Sequence, residues 1–354
     1  MRVTIAGGGN IGTQAAVHFA ESGHTVKVYT AHPEGFEKQL LITDETGQCL
    51  HAGEIRCATD DPKTAFSEAE LILITYPAMA IPSLAEKIRS FLPKDALIGC
   101  VPGNGGGECV FRSLIERGQT YFALERVPAI ARLRTRGKEV ICRGYRNELH
   151  LAALPKQETA RCCRLMEDSY HMPCKPSPGI LNLTLTPSNP LLHTARLYTI
   201  FQRDCKKLPL FYEDWDTASS DLLLSMDREL EEIIAALPEL DLSGIVPLRL
   251  YYEGETSGAM TAKISSIPAF RGIETPAVST PSGFSPDLGS RCFTTDFAYG
   301  LSLFVQTARF ADVKTPCMDK VLAWYRTLVP DRNEFSYADY GITTRAEFVD
   351  YYSQ

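Results

Sequence analysis

Gly7, Gly9 and Gly12 stand at the G-x-G-x-x-G spacing inside Val3-Thr4-Ile5-Ala6-Gly7-Gly8-Gly9-Asn10-Ile11-Gly12. The chemistry open to that spacing is the holding of a pyrophosphate. Gly7 allows a tight turn, Gly9 lets the backbone approach the phosphates, and Gly12 lets a helix pack closely on a strand. The phosphates would rest on the free N–H groups at the helix N-terminus, where the helix dipole favours negative charge. Three glycines near a turn can also mean only a turn, so the flanking elements carry the decision. Val3–Ala6 reads as a short buried strand, Thr13–Ser22 has apolar residues at helical intervals, and His24–Tyr29 reads as a second strand after Gly23. In that setting Gly7, Gly8, Gly9, Asn10, Ile11 and Gly12 are expected to bind a dinucleotide cofactor, which makes this a nucleotide-cofactor enzyme.

Thr30 follows the second strand, where NAD-selective folds usually place an acid on the ribose 2′-hydroxyl. A carboxylate there would repel a 2′-phosphate, so its absence leaves both NAD and NADP open. His32 and Lys38 can help hold such a phosphate or can be solvated loop residues. Leu71–Thr75 is a continuous apolar run of the kind buried on both faces of a parallel sheet. Tyr76-Pro77-Ala78 ends that run and is expected near the nicotinamide, as strand C-terminal loops are in this architecture. Ala96–Val101 is read as a strand running into Pro102-Gly103-Asn104-Gly105-Gly106-Gly107-Glu108, a second glycine-rich loop. Its reading is close approach of backbone to a ligand, against the plainer one of a flexible turn.

The elements that must position these loops follow in order. Glu54–Ala58 reads as an edge strand, Pro62–Ala69 as a short helix, Ile81–Phe91 as an amphipathic helix and Cys109–Arg117 as another. Tyr121–Leu124, Glu139–Arg143 and His150–Leu154 are expected to complete one sheet, with Glu158–Glu167 helical. This is an α/β Rossmann-type doubly wound domain, expected over 1–178. Beyond it the alternation gives way to helices alone, at Leu191–Phe201, Thr217–Leu237, Thr294–Arg309, Pro316–Leu328 and Arg345–Tyr352. An all-α C-terminal domain over 179–354 is expected, with the substrate cleft between the two.

The length of 354 residues suits two domains, and 44% hydrophobic with 22% charged residues is ordinary for a globular chain. A formal charge of −7 without a basic stripe argues against a polyanion partner such as nucleic acid. No apolar run is long enough to span a bilayer. A secretory leader is not expected, because the cofactor strand begins at Arg2 or Val3. The 11 cysteines form no zinc or C-x-x-C pattern, and read as reduced thiols of a cytoplasmic protein.

Several separated stretches carry a further signal. Asn189-Pro190-Leu191-Leu192-His193, Pro209-Leu210-Phe211-Tyr212, Ala269-Phe270-Arg271-Gly272-Ile273 and Arg291 to Leu301 occur in that order. With the N-terminal motif they resemble the octopine/nopaline (opine) dehydrogenase family over nearly the whole chain. The resemblance implies NAD(P)H-dependent reductive condensation of an amino acid with a 2-oxo acid such as pyruvate, giving an N-(1-carboxyalkyl)amino acid. It implies His193 as catalytic acid/base and Asp296 as the carboxylate that orients and charges it, a pairing suited to proton transfer near neutral pH. It implies that Arg291 grips the amino acid carboxylate, with a fork suited to bidentate contact. Asn104 matches the position contacting the 2-oxo acid, and Arg126 a position facing the same carboxylate, although Arg126 can instead pair with Glu125. Arg132 matches an arginine after a Pro-Trp motif whose tryptophan is Ala129 here. Thr194 replaces a usual proline, Thr295-Asp296-Phe297-Ala298 replaces Glu-Asp-x-Pro, and Pro247 falls near an aromatic of the arginine pocket. These departures leave the amino acid undefined.

Two other readings compete. One is a polyol or 3-hydroxyacid dehydrogenase; the polyol type carries the Asn-x-x-x-His that Asn189 and His193 mimic, but it needs a lysine where Thr184 stands. A catalytically silent NAD(P)-binding sensor has no use for the set His193, Asp296 and Arg291. The expected partners are small-molecule substrates, with neither nucleic acid nor membrane, in a monomer or homodimer. No metal site is expected.

Overall fold

A computed structural model describes all residues from Met1 to Gln354. The chain divides into two compact units, Met1–Thr184 and Leu185–Ser353. The division falls after Thr184 rather than at 178.

The first unit alternates strand and helix from its start: β1 (Arg2–Ala6), α1 (Asn10–Glu21), β2 (Thr25–Tyr29), β3 (Gln39–Thr43), β4 (Cys49–Glu54), β5 (Cys57–Thr59), α2 (Pro62–Phe66), β6 (Leu71–Ile74) and α3 (Ile81–Ile88). It continues with β7 (Leu97–Cys100), α4 (Gly107–Val110), α5 (Arg112–Ile115), β8 (Tyr121–Leu124), β9 (Ala129–Thr135), β10 (Glu139–Tyr145), β11 (Leu149–Leu154), α6 (Thr159–Tyr170), β12 (Cys174–Pro176) and α7 (Ile180–Thr184). An eight-stranded sheet has the order β12-β11-β8-β7-β6-β1-β2-β5 and is parallel except where β11 runs against β8. All four residues of β6 are buried, which is why an unbroken apolar run can lie at the sheet's centre between β1 and β7.

A second sheet, β4-β3-β10-β9, was not expected. It corrects two sequence readings. Glu139–Arg143 joins this sheet rather than completing the first, and Glu54–Ala58 is not one edge strand but the end of β4 followed by β5. The small sheet covers the face of α1 turned away from β1 and β2, so Gly12 to Phe19 are all buried. Gly53 makes the approach possible, because an added Cβ there would lie 2.6 Å from the Val17 carbonyl oxygen. The helix expected over Cys109–Arg117 is broken into α4 and α5 at Phe111.

The second unit is helical: α8 (Ser188–Phe201), α9 (Thr217–Ala235), α10 (Leu248–Tyr251), α11 (Ser257–Ser266), α12 (Ser302–Phe310), α13 (Pro316–Leu328) and α14 (Arg345–Tyr352). One hairpin, β13 (Ala277–Thr280) with β14 (Gly283–Pro286), interrupts it. The segment expected as one helix over Thr294–Arg309 is instead a π-helix, Cys292–Leu301, continuing into α12. Its i→i+5 bonding is visible where the Ser302 N–H donates to the Phe297 carbonyl. Buried acids on α9 brace neighbouring helix starts. Asp227 accepts from the backbone of Leu248 and Arg249, and Glu229 from that of Cys317 and Met318.

Candidate active site

In the first glycine loop Gly7 and Gly12 are required by local geometry and packing, while Gly9 faces open space. Gly7 sits at φ +120°, and a Cβ there would lie 2.3 Å from Thr75 Oγ1. At Gly12 a Cβ would lie 1.8 Å from the Gly7 carbonyl oxygen, so this contact between strand and helix admits only glycine. A Cβ on Gly9 would meet no protein atom within 4 Å. The open side of the loop is therefore at Gly9, which also caps α1 without any side-chain hydrogen bond to the helix's first N–H groups. Those donors and that space suit a pyrophosphate.

Asn10 is engaged by the protein itself, since its Oδ1 accepts from the Leu133 N–H at 2.8 Å. Ile11 is half-buried against the core beside it. Thr30 is buried next to Gly8, its Oγ1 2.9 Å from where a Gly8 Cβ would stand. His32 is exposed and 3.5 Å from Glu34, and Lys38 is exposed. Tyr76 and Pro77 lie directly beyond the C-terminal end of β6, Tyr76 half-buried and Pro77 exposed; burial raises the Tyr76 phenol pKa.

In the second glycine loop the glycines also serve packing. A Cβ at Gly103 would lie 2.3 Å from Ala123 Cβ, while Gly105 and Gly106 take positive φ of +86° and +77°. Asn104 is half-buried in that loop. Arg126 Nε donates to Glu125 at 2.9 Å, the pairing that competes with a substrate role. Arg132 is exposed on β9 and donates to the Ala131 carbonyl.

In the helical unit the structure brings His193 and Asp296 together. His193 Nδ1 and Asp296 Oδ2 are 2.7 Å apart, with His193 7% and Asp296 2% exposed. A carboxylate can only accept here, so Nδ1 carries the proton and the imidazole tautomer is set. His193 comes from α8 and Asp296 from the π-helix, and the two helices touch where Gly300 leaves no room for a Cβ, 2.8 Å from Pro190. Burial by itself lowers the His193 pKa. The negative charges that Tyr212 and Cys292 can carry and the hydrogen bond to Asp296 outweigh it, so the His193 pKa is raised well above its ordinary value. The shift favours the imidazolium form.

Two neighbours of this pair were not among the residues singled out from sequence. Tyr212 Oη is 2.7 Å from His193 Nε2, and Cys292 Sγ is 3.8 Å from Nδ1. The signal for them in the sequence was their place within the stretches Pro209–Tyr212 and Arg291–Leu301. Arg291 precedes the π-helix, is exposed, and has no carboxylate of the protein within salt-bridge range.

The family of the NAD/NADP octopine/nopaline dehydrogenase alpha-helical domain matches residues 176–329, the stretch that holds His193, Arg291 and Asp296. The helical domain of this chain belongs to the octopine/nopaline dehydrogenase family. The chain is accordingly an NAD(P)-dependent oxidoreductase. Residues 2–104 match the N-terminus of NAD-dependent glycerol-3-phosphate dehydrogenase, a match confined to the nucleotide unit. An opine dehydrogenase of Haliotis discus hannai is 27% identical, over 91% of this chain and 88% of its own. An octopine dehydrogenase of Pecten maximus is 23% identical, over 92% of this chain and 89% of its own. The fold is that of octopine dehydrogenase solved with NADH and L-arginine, at a TM-score of 0.84 and 21% identity, covering 99% and 98% of the two chains. Opine dehydrogenases match over both units, so the polyol and 3-hydroxyacid reading is not the better one. No helix is long and apolar enough to cross a membrane.

Proposed function

We propose that this protein is an opine dehydrogenase that condenses an amino acid with a 2-oxo acid such as pyruvate and reduces the product to an N-(1-carboxyalkyl)amino acid. The observation that supports this reading is the buried His193–Asp296 pair, contributed by helices far apart in sequence, with the His193 pKa raised. Bound NAD or NADP supplies the hydride. Gly7, Gly9 and Gly12 with the start of α1 would hold its pyrophosphate, and Thr30 and His32 would face its ribose.

His193 manages the protons: it donates as the carbonyl oxygen leaves and accepts as the amine is deprotonated. Asp296 holds its tautomer and stabilises the imidazolium. Arg291, with no partner in the protein, grips the amino acid carboxylate bidentately. Asn104 takes the 2-oxo acid, and Arg126 exchanges Glu125 for its carboxylate. The 11 cysteines, none in a disulfide, fit a reducing cytoplasm. The reading is tested by following NADH and NADPH oxidation with pyruvate and each amino acid in turn. Turnover that requires both substrates supports it. Turnover with the 2-oxo acid alone, or none with any pair, overturns it.

A further inference from the structure

Both ring nitrogens of His193 are already engaged: Nδ1 by Asp296 and Nε2 by Tyr212, each at 2.7 Å. An acid/base must present a nitrogen to its substrate or work through whatever occupies that nitrogen. Tyr212 does not have the freedom to step aside. Its ring stacks on Phe270 at 4.1 Å between centroids and 17° between planes, and meets Phe211 edge-on at 4.7 Å.

The loop that carries Tyr212 is itself clamped. Arg196, one turn beyond His193 on α8, is fully buried and spans the whole of it. It donates to the carbonyls of Leu210, Phe211 and Asp214, to the Asp216 carboxylate and to Ser219 Oγ, and lies 5.4 Å over the Trp215 ring. The other side of the loop is stitched to the segment after Phe270: Phe211 N–H donates to the Ile273 carbonyl, Gly272 N–H to Glu213, and Thr275 Oγ1 to the Pro209 carbonyl. A buried arginine so fully committed is expensive to desolvate, and here its donors tie the Tyr212 loop and the start of α9 to α8 beside His193.

We infer that Tyr212 is the group that meets the substrate: its hydroxyl passes protons between His193 Nε2 and the reacting centre. The inference deepens the proposed function and rests on it. In the condensation direction the Tyr212 O–H proton goes to the hydroxyl of the carbinolamine. The C–O bond breaks, water leaves, and the nitrogen lone pair forms the C=N bond of the iminium. The Tyr212 oxygen takes the Nε2 proton in the same motion, and His193 is left neutral on Asp296. No electrons change hands in this step, and the proton lost by the imidazolium equals the one gained by water. Arg196 acts as a positioning residue, through the loop.

The test compares Tyr212→Phe, which keeps the ring stack, with His193→Ala in the full-length enzyme. The relay requires Tyr212→Phe to lose kcat by roughly 10²–10⁴-fold, as His193→Ala does, with unchanged NADH or NADPH affinity and little change in Tm. Site-specific 3-fluorotyrosine at position 212 should move the alkaline limb of the kcat profile to lower pH, which a purely structural tyrosine would not do. A Tyr212→Phe enzyme with kcat within a few fold of the parent, or faster, overturns the relay, as does an unmoved limb with 3-fluorotyrosine. If Tyr212→Phe is active and His193→Ala is not, only the relay fails. If both remain active, the proposed assignment of the site fails with it.

Discussion

Asp296 reaches His193 from a π-helix rather than from an α-helix. The ten residues Cys292–Leu301 close i→i+5 bonds before α12 resumes the ordinary spacing. Such stretches are rare and concentrate at functional sites, because the extra residue per turn shifts side chains off the positions an α-helix would give them. Here Asp296 meets His193 at 2.7 Å while Gly300 packs on Pro190. The π segment thus ties the pair's geometry to the contact between two helices.

The pair should behave as one unit. His193→Ala and Asp296→Asn are each expected to lower kcat by roughly 10²–10⁴-fold with little change in cofactor affinity. The double variant should be little worse than the poorer single one. Steady-state kinetics on the three variants checks this, and additive losses would separate the two roles.

The raised His193 pKa fixes the sign of two pH effects. On the proposed role of His193 the imidazolium is the working form in condensation, so kcat should fall on the alkaline side with an apparent pKa above 6.5. Because the folded-state value lies above the unfolded one, the pair's contribution to stability is full below pH 6.5 and is lost as pH rises through the folded pKa. Urea titrations across that range should show this loss in the parent and not in His193→Gln.

Gly9 and Gly12 should part company on substitution. A Cβ at Gly9 meets nothing in the protein, so Gly9→Val should keep the parent Tm and lose NAD(P)H binding in a fluorescence titration. Gly12→Val places its Cβ against the Gly7 carbonyl and should lower Tm or prevent folding. Intact cofactor binding by Gly9→Val would remove this loop from the cofactor site.

Arg291→Ala should raise KM for the amino acid more than for the 2-oxo acid, and Arg126→Ala the reverse. A hydrogen bond to a charged group is worth roughly 1.5–3 kcal/mol, so shifts of about one to two orders of magnitude are expected. Equal shifts of both constants in both variants would rule out separate clamps.

Acid stability should depend on His18. Burial first, then the neighbouring His51 and His171, lower its pKa from 6.5 to about 3, so the folded protein holds it neutral. The unfolded chain binds that proton from about pH 6.5 downward, and stability is therefore lost as pH falls from there towards 3. His18→Gln should show a shallower loss in that window. An unchanged slope would show that His18 does not drive acid unfolding.

Much of this was legible locally. Gly7, Gly9 and Gly12 need only their strand and helix neighbours to define a turn, an approach and a packing contact. An apolar run of strand length bounded by turn residues was enough to read Leu71–Ile74 as the buried strand it is. Pro316–Leu328 and Arg345–Tyr352 were readable as helices because a proline or a capping residue starts each one. His193, Asp296 and Arg291 were reached through ordered stretches of residues rather than through any local physics.

Tertiary structure decided the rest, because an apolar pattern reports that a face is buried and not what buries it. β10 reads the same whether it extends the large sheet or pairs with β3 and β9 beneath α1, and only Gly53 against Val17 shows why the second is possible. Over ten residues an i→i+5 helix and an i→i+4 helix carry nearly the same apolar face, so the π turn beneath Asp296 left no sequence signature. The occupancy of His193 Nε2 by Tyr212 depends on Arg196 gathering a loop whose carbonyls have no sequence identity at all. Backbone acceptors are common to every residue, and which of them one arginine reaches is settled only when α8 and residues 209–219 pack together.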